Sequence, residues 1–178
     1  MNVNGGNFIM KAGNLTANNM AYGLILNNTS TYTQTGGTYS TNAIIGLANT
    51  GGNSTVNIIG GSLTTTNGSV SATELAVRGT TIFNLSGTGT VTTPTLNMST
   101  SQIGSGGATS TFNLDAGTLR SSASSTTYMT GLTNAFVKAG GAVIDTQAFN
   151  VTIGQDLLTD VVSTGGGLTK QGPGAHRI

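Results

Sequence analysis

Glycines at positions 13, 37, 61, 89, 117 and 141 close the same short pattern, and their spacings of 24, 24, 28, 28 and 24 residues leave few folds open. The pattern is an aromatic or β-branched residue, a variable one, an apolar one, a glycine-containing corner, and then Leu, Tyr or Val. It reads Phe8-Ile9-Met10 with Gly13 and Leu15, then Tyr32-Thr33-Gln34 with Gly37 and Tyr39. Val56-Asn57-Ile58 follows with Gly61 and Leu63, and Phe83-Asn84-Leu85 with Gly89 and Val91. Phe112-Asn113-Leu114 precedes Gly117 and Leu119, and Phe136-Val137-Lys138 precedes Gly141 and Val143. A third apolar run falls within each period: Leu24-Ile25-Leu26, Ala43-Ile44-Ile45, Leu75-Ala76-Val77 and Leu96-Asn97-Met98, continued less regularly by Tyr128-Met129 and Val151-Thr152-Ile153. Three runs of about five residues, separated by Gly, Asn and Ser-Thr clusters, are strands joined by turns. Such a period is too short for a propeller blade of about 40–45 residues and lacks the leucine-rich consensus. It fits one coil of a right-handed parallel β-helix, a β-solenoid of about six coils stacked at about 4.8 Å.

Stacking accounts for the residue types. Phe8, Tyr32, Val56, Phe83, Phe112 and Phe136 are expected to form one interior column, with Met10, Ile58, Leu85 and Leu114 as the next, because period 2 sends both inward. Asn57, Asn84 and Asn113 share one position. They are either separate outward amides or a hydrogen-bonded ladder along the stack. The two periods of 28 place extra residues at corners, one at Ser86-Gly87-Thr88 and one around Ser105-Gly106-Gly107. No 3.6-residue stripe outlasts a turn, so the chain is expected to be almost pure sheet.

Composition agrees. Charged residues are 6% of the 178, against roughly a quarter in an ordinary soluble domain, while hydrophobic residues are 36%. Hydroxyls and amides must therefore face the solvent, which suits Thr- and Val-rich strands better than surface helices. With a net charge of +1 and six scattered Lys and Arg residues, no nucleic-acid partner is expected. Cysteine is absent, so disulfides and thiolate metal sites are excluded. No apolar run approaches the ~20 residues of a membrane-spanning helix, so no direct membrane insertion is expected. Met1-Asn2-Val3-Asn4-Gly5-Gly6 lacks the basic start and apolar core of a signal peptide. The whole of 1–178 therefore reads as a single β-helix segment of a longer protein.

Thr164-Gly165-Gly166-Gly167-Leu168-Thr169-Lys170-Gln171-Gly172-Pro173-Gly174 resembles the autotransporter-associated β-strand repeat of bacterial passenger domains. In that family a Gly-Gly-Leu-x-Lys-x-Gly-x-Gly segment leads into Thr-Leu-Thr-Leu. The stretch Phe136-Val137-Lys138-Ala139-Gly140-Gly141-Ala142-Val143-Ile144-Asp145-Thr146 is similar to the unit that precedes it. The match covers about Asn134 to Gly174. It fails at Ala175-His176-Arg177-Ile178, an aberrant tail where the next strand is expected. The resemblance implies a secreted or cell-surface protein of a Gram-negative bacterium, built as a β-helical stalk, a possible adhesin with surface glycans or neighbouring cells as partners.

Some parallel β-helices are polysaccharide lyases or hydrolases, whose chemistry needs acids converging from adjacent coils. Here Glu74 and Asp145 fall in different parts of their coils. Asp115 lies two before its corner glycine, where its equivalents are Lys11, Thr35, Ile59, Gly87 and Ala139. Asp156 and Asp160 flank Leu157-Leu158-Thr159 and are expected in a solvated loop. His176 is the single histidine and lies in the aberrant tail. Lys170 reads as a corner lysine, and Arg78 and Arg120 as isolated surface charges. No phosphate-loop spacing occurs. The expectation is no catalytic, cofactor or metal site. A rival binding face remains in the outward rows after the corners, which contain Thr16, Thr38, Ser40, Ser62, Thr64, Thr66, Thr90 and Thr92. Such a hydroxyl array suits glycans or ice; equally, Thr is a good uncharged residue for a strand surface. A solenoid without polar caps is further expected to self-associate end to end.

Overall fold

A computed structural model describes residues 1–18, 22–47, 52–66, 73–75, 79–98 and 108–178. Every described element is a strand, and every pairing between strands is parallel. The chain winds into a β-solenoid of about six turns with three faces. The first face stacks β1 (Asn2–Met10), the second half of β3 (Tyr22–Gln34), β6 (Asn53–Ile58), β9 (Thr80–Ser86), β12 (Thr109–Asp115), β15 (Asn134–Val137) and β18 (Leu157–Thr159). The second stacks β2 (Asn14–Ala17), β4 (Thr38–Thr41), β7 (Ser62–Thr65), β10 (Thr90–Thr93), β13 (Thr118–Ser121), β16 (Ala142–Asp145) and β19 (Leu168–Gln171). The third stacks the start of β1 (Asn2–Asn4), the first half of β3, then β5 (Ile44–Leu47), β8 (Thr73–Leu75), β11 (Leu96–Met98), β14 (Ser125–Thr130), β17 (Val151–Ile153) and β20 (His176–Arg177). β3, at 13 residues, runs through a corner and joins the first and third faces into one sheet.

The alternation of burial along each strand follows from the pleat. Tyr32, Val56, Phe83 and Phe112 stand in register in the interior, with Ile58, Leu85 and Leu114 beside them. Tyr39, Leu63, Val91 and Leu119 fill the interior from the second face. Phe8 stacks on Tyr32 with ring centroids 5.7 Å apart, and Phe83 meets Phe112 edge to face at 5.5 Å. Each such buried side chain contributes about 1.5–3 kcal/mol. One polar residue shares these columns. Gln34 is fully buried, donates to the carbonyls of Gly37 and Ser62 at 3.0 Å, and accepts from the Tyr32 hydroxyl at 3.0 Å.

Each corner is closed by different chemistry. The first, between faces one and two, turns through a left-handed residue: Gly37 has φ 74° and Gly61 φ 73°. A Cβ on Gly61 would lie 2.3 Å from the Gly37 carbonyl oxygen of the coil before, so glycine is required twice over. The fifth coil puts Ala116, at φ 74°, in this role. The second corner, leaving face two, is lined by buried hydroxyls: Thr41, Thr65, Thr93, Ser121 and Thr146. Thr93 donates to the Thr95 carbonyl and Ser121 to the Ala123 carbonyl, each at 2.6 Å. Entry to the first face has a matching set, Ser30, Ser54, Thr81 and Ser110, stacked in register. Ser30, Thr41, Ser54, Thr93, Ser121 and Thr146 donate to backbone carbonyls at the turns, and the Thr65 hydroxyl donates to that of Thr93.

Two expectations about register are corrected. Phe136 does not continue the interior column: Ala135 pairs with Phe112, and Phe136 with the outward Asn113. The step from Phe112 to Ala135 is 23 residues, while that from Leu119 to Ile144 on the second face is 25. The glycine spacing of 24 hides this split. Two extra residues at the corner 138–141 lengthen one part of the coil as the part before it shortens. Ser110 and Thr133 pin the shifted register by exchanging backbone-to-hydroxyl bonds of 3.0 and 3.1 Å. A one-residue slip sends every side chain to the other face, so Ile144, rather than Val143, stacks on Leu119. Asp115 stacks on Ser86 instead of Gly87 because the corner after β9 is one residue longer, and the slipped pairing of Leu114 with Val137 sets Lys138, instead of Ala139, on its other side. Of the two expected insertions, the one at Ser86-Gly87-Thr88 is a longer corner, and the one around Ser105 lies outside the described residues.

Candidate functional site

The hydroxyl face is the second face of the solenoid. Thr38 stacks on Asn14 and is followed by Ser62, Thr90 and Thr118; Thr16 is followed by Ser40, Thr64 and Thr92. These form two parallel rows of small polar groups about 6.6 Å apart within a strand and about 4.8 Å apart between coils. No register shift interrupts the pairings of this face, whereas the larger sheet has three. Hydroxyls along a row meet directly, Thr16 to Ser40 at 3.2 Å and Ser62 to Thr38 at 3.3 Å. Thr66 lies just beyond β7, where its backbone N–H donates to the Thr41 carbonyl at 2.9 Å. All eight candidate residues therefore share one face, with Thr66 at its margin.

The row through Thr92 then changes character. Its next members are Arg120 and Asp145, joined by an ion pair of 3.0 Å. Desolvation by its surroundings raises the pKa of Asp145, but the Gln147 backbone N–H, the Arg120 guanidinium and the Gln147 amide together outweigh it. The net result lies below the ordinary carboxylate value.

The first face carries the amide ladder. Asn113 donates to Asn84 at 2.7 Å, Asn84 to Asn57 at 2.8 Å, and Asn57 to the Thr33 hydroxyl at 3.2 Å. Beside it a shallow groove of about 260 Å³ is lined by Asn84, Asn113, Asp115 and Lys138 among others. Lys138 bonds Asp160 at 2.6 Å, and the Asp115 carboxylate accepts from the Gly140 N–H at 2.8 Å.

Glu74 lies on β8 on the third face, and Asp156 and Asp160 stand at opposite ends of β18. His176 sits on β20, opposite Val151, with its pKa lowered by burial and by Lys170. Among the described residues no group of three or more His, Asp or Glu side chains is placed to hold a metal ion. Sequence reasoning missed Gln34 and the buried hydroxyl corners. Their signal was present, because Thr41, Thr65, Thr93 and Ser121 each lie four residues after a corner glycine. No family model, curated protein or solved structure matches the chain.

Proposed function

We propose that the chain is a structural, surface-displaying stretch of β-helical stalk in a secreted or cell-surface bacterial protein, of the autotransporter-passenger type. The observation that carries this reading is the unbroken parallel register of the seven-stranded second face. Each coil repeats the backbone ladder of the coil before, and from Thr38 to Thr92 the interior column and the surface rows repeat with it, so length grows by addition. The charged groups serve the same end: Arg120–Asp145 and Lys138–Asp160 both join neighbouring coils. Leu168–Gln171, within the segment that resembles the passenger repeat, adds the outermost strand to the same face.

Deleting residues 39–62 removes one full coil and joins Thr38 to Leu63, the residue that stacks on Tyr39. For a stalk, this deletion leaves a cooperative fold about 4.8 Å shorter. An epitope fused to it on an anchored cell stays accessible. Loss of a specific activity on deleting that coil would show that the coil is a site rather than a spacer.

The regularity of the hydroxyl rows favours a second reading, in which this face binds glycans or ice. The comparison is wild type against the Thr64→Lys, Thr92→Lys double variant on a glycan array and in an ice-growth assay, with melting as the control for folding. The stalk reading expects no signal from either. A wild-type signal lost in a still-folded variant selects the binding face.

A further inference from the structure

Two outward rows run along the first face in the middle of the stack. One is the amide ladder of Asn57, Asn84 and Asn113. The other is Ile59, Ser86 and Asp115, each one residue beyond the interior Ile58, Leu85 and Leu114. Successive outward positions of a strand lie about 6.6 Å apart, so the two rows wall the groove of about 260 Å³ between them. In the next coil the slipped register sets Phe136 at the end of the first row and Lys138 at the end of the second. Each strand of the site, β6, β9, β12 and β15, is paired on both sides, so the groove is complete whatever precedes or follows this chain.

The slip leaves two acceptors unused. Asn113 donates one N–H to Asn84 at 2.7 Å, but its own oxygen has Phe136 as the next neighbour in the row, and a phenyl ring has no hydrogen bond to donate. Asp115 accepts from the Gly140 N–H through Oδ1 at 2.8 Å, and no donor among the described residues reaches its Oδ2. Lys138 does not pair with it, because the ammonium lies 2.6 Å from Asp160. One unpaired negative charge, one open amide oxygen and a half-buried aromatic ring therefore stand together.

We infer that this groove docks an arginine side chain carried by an extended basic stretch of a partner polypeptide. A guanidinium has five N–H donors in one plane, no acceptor, a fixed positive charge and an affinity for aromatic faces. It gives Asp115 both donors and charge, gives Asn113 a donor, and gives the Phe136 ring a cation. An apolar side chain would bury the carboxylate and the amide without partners. A neutral sugar would satisfy both oxygens but leave the charge of Asp115 unpaired. The arginine stem runs past Ser86 towards Ile59, which is 45% exposed. Asn84 and Asn57 each commit one of two amide N–H groups to the ladder, and the other is free for a carbonyl of the chain that carries the arginine.

The test titrates the whole isotope-labelled chain with an acetylated and amidated Gly-Gly-Arg-Gly-Gly peptide, followed through the side-chain amide resonances of Asn57, Asn84 and Asn113. Saturable shifts are expected. Binding should weaken about tenfold when lysine or citrulline replaces the arginine, citrulline keeping its shape without its charge. Asp115→Asn keeps the bond from Gly140 and removes the charge, so it should raise the dissociation constant about tenfold at an unchanged melting temperature. Asp156→Asn, the same change of net charge outside the groove, should leave it within about twofold. Phe136→Leu keeps an apolar side chain without the ring face and should raise it about threefold. If Asp115→Asn lowers the melting temperature, the citrulline peptide and Phe136→Leu decide. No saturable shift at millimolar peptide overturns the inference, as does an equal response to citrulline or a folded Asp115→Asn protein that binds unchanged. Shifts of the same amides by cellobiose, without any by the peptide, overturn it too and give the groove to a hydroxyl ligand.

Discussion

The coils built on β6, β9 and β12 and those built on β15 to β20 solve the same stacking problem in opposite ways. In the first set like stacks on like: Asn on Asn, Thr on Ser, Phe on Phe. Towards the second the amide ladder stops against Phe136, the hydroxyl row, already interrupted by Arg120 on β13, passes to Asp145, and the first corner grows into the loop 160–167 before β19. The charges divide accordingly. The 133 residues before Asn134 hold five charged residues, and the 45 from Asn134 on hold six. A position that repeats every coil puts its side chain about 4.8 Å from its own kind. An amide or a hydroxyl is self-complementary there, because it both donates and accepts. A carboxylate or an ammonium is repelled. Charge can enter a stack only where the repeat has loosened enough for opposite signs to alternate, as in Arg120–Asp145 and Lys138–Asp160. The low charge content is in this sense a property of the repeat's fidelity.

Five pairs of measurements break or sharpen this contrast. Phe112→Asp puts an unpaired charge into the interior column and should cost more than about 5 kcal/mol, enough to abolish the melting transition. Phe136→Asp, on the outward side of the slipped register, should cost about 1 kcal/mol or less. Equal effects would mean that the register does not slip. Gly61→Ala meets both a left-handed φ and the Gly37 carbonyl, and should cost about 3 kcal/mol or more. Gly165→Ala, at φ 100° with open space around it, bears the backbone cost alone, about 1 kcal/mol.

Asn84→Ala cuts the ladder in its middle and strands both neighbours, costing about 1–2 kcal/mol in chemical denaturation. Asn113→Ala removes only an end bond and should cost about half that. Acid should act on the C-terminal coils. The depressed folded pKa of Asp145 means that its contribution is present above the unfolded value near ~3.9 and is lost as pH falls through that value towards the folded one. Asp145→Asn should therefore be less stable at neutral pH and lose less stability between about pH 5 and pH 2. Equal acid sensitivity in both proteins would remove Asp145 from that role. The smallest effect belongs to the hydroxyl face. Thr64→Lys alone should stay within about 0.5 kcal/mol. Adding Thr92→Lys lines up three cations with Arg120 and should cost more than the two single changes together, while Thr92→Asp in its place should not.

The coil was legible because its strongest signal, an apolar pair followed by a glycine corner, coincides with the interior columns at Val56 and Ile58, Phe83 and Leu85, and Phe112 and Leu114. The hydroxyl rows were legible for the same reason, being the alternates of Tyr39, Leu63 and Val91. Phe136 was misplaced because a glycine fixes only the corner, and a residue gained after a strand can offset one lost before it. Ala135 looks too small for a core, and nothing local says that Val137 alone carries the apolar side of that turn. The buried Thr41, Thr65 and Thr93 were hidden by chemistry: a threonine that satisfies a turning backbone from inside has the same composition as one that faces water.

The amide ladder has a direction. Every carboxamide donates towards the earlier coil, from Asn113 to Asn84 to Asn57 to Thr33. Rotating one of the middle amides by half a turn would set N–H against N–H on one side and oxygen against oxygen on the other. The row can therefore only be reversed as a whole, like dominoes that must all lean the same way. Three side chains far apart in sequence thus behave as one switch-like unit, whose orientation is fixed for all of them by whichever end is anchored first.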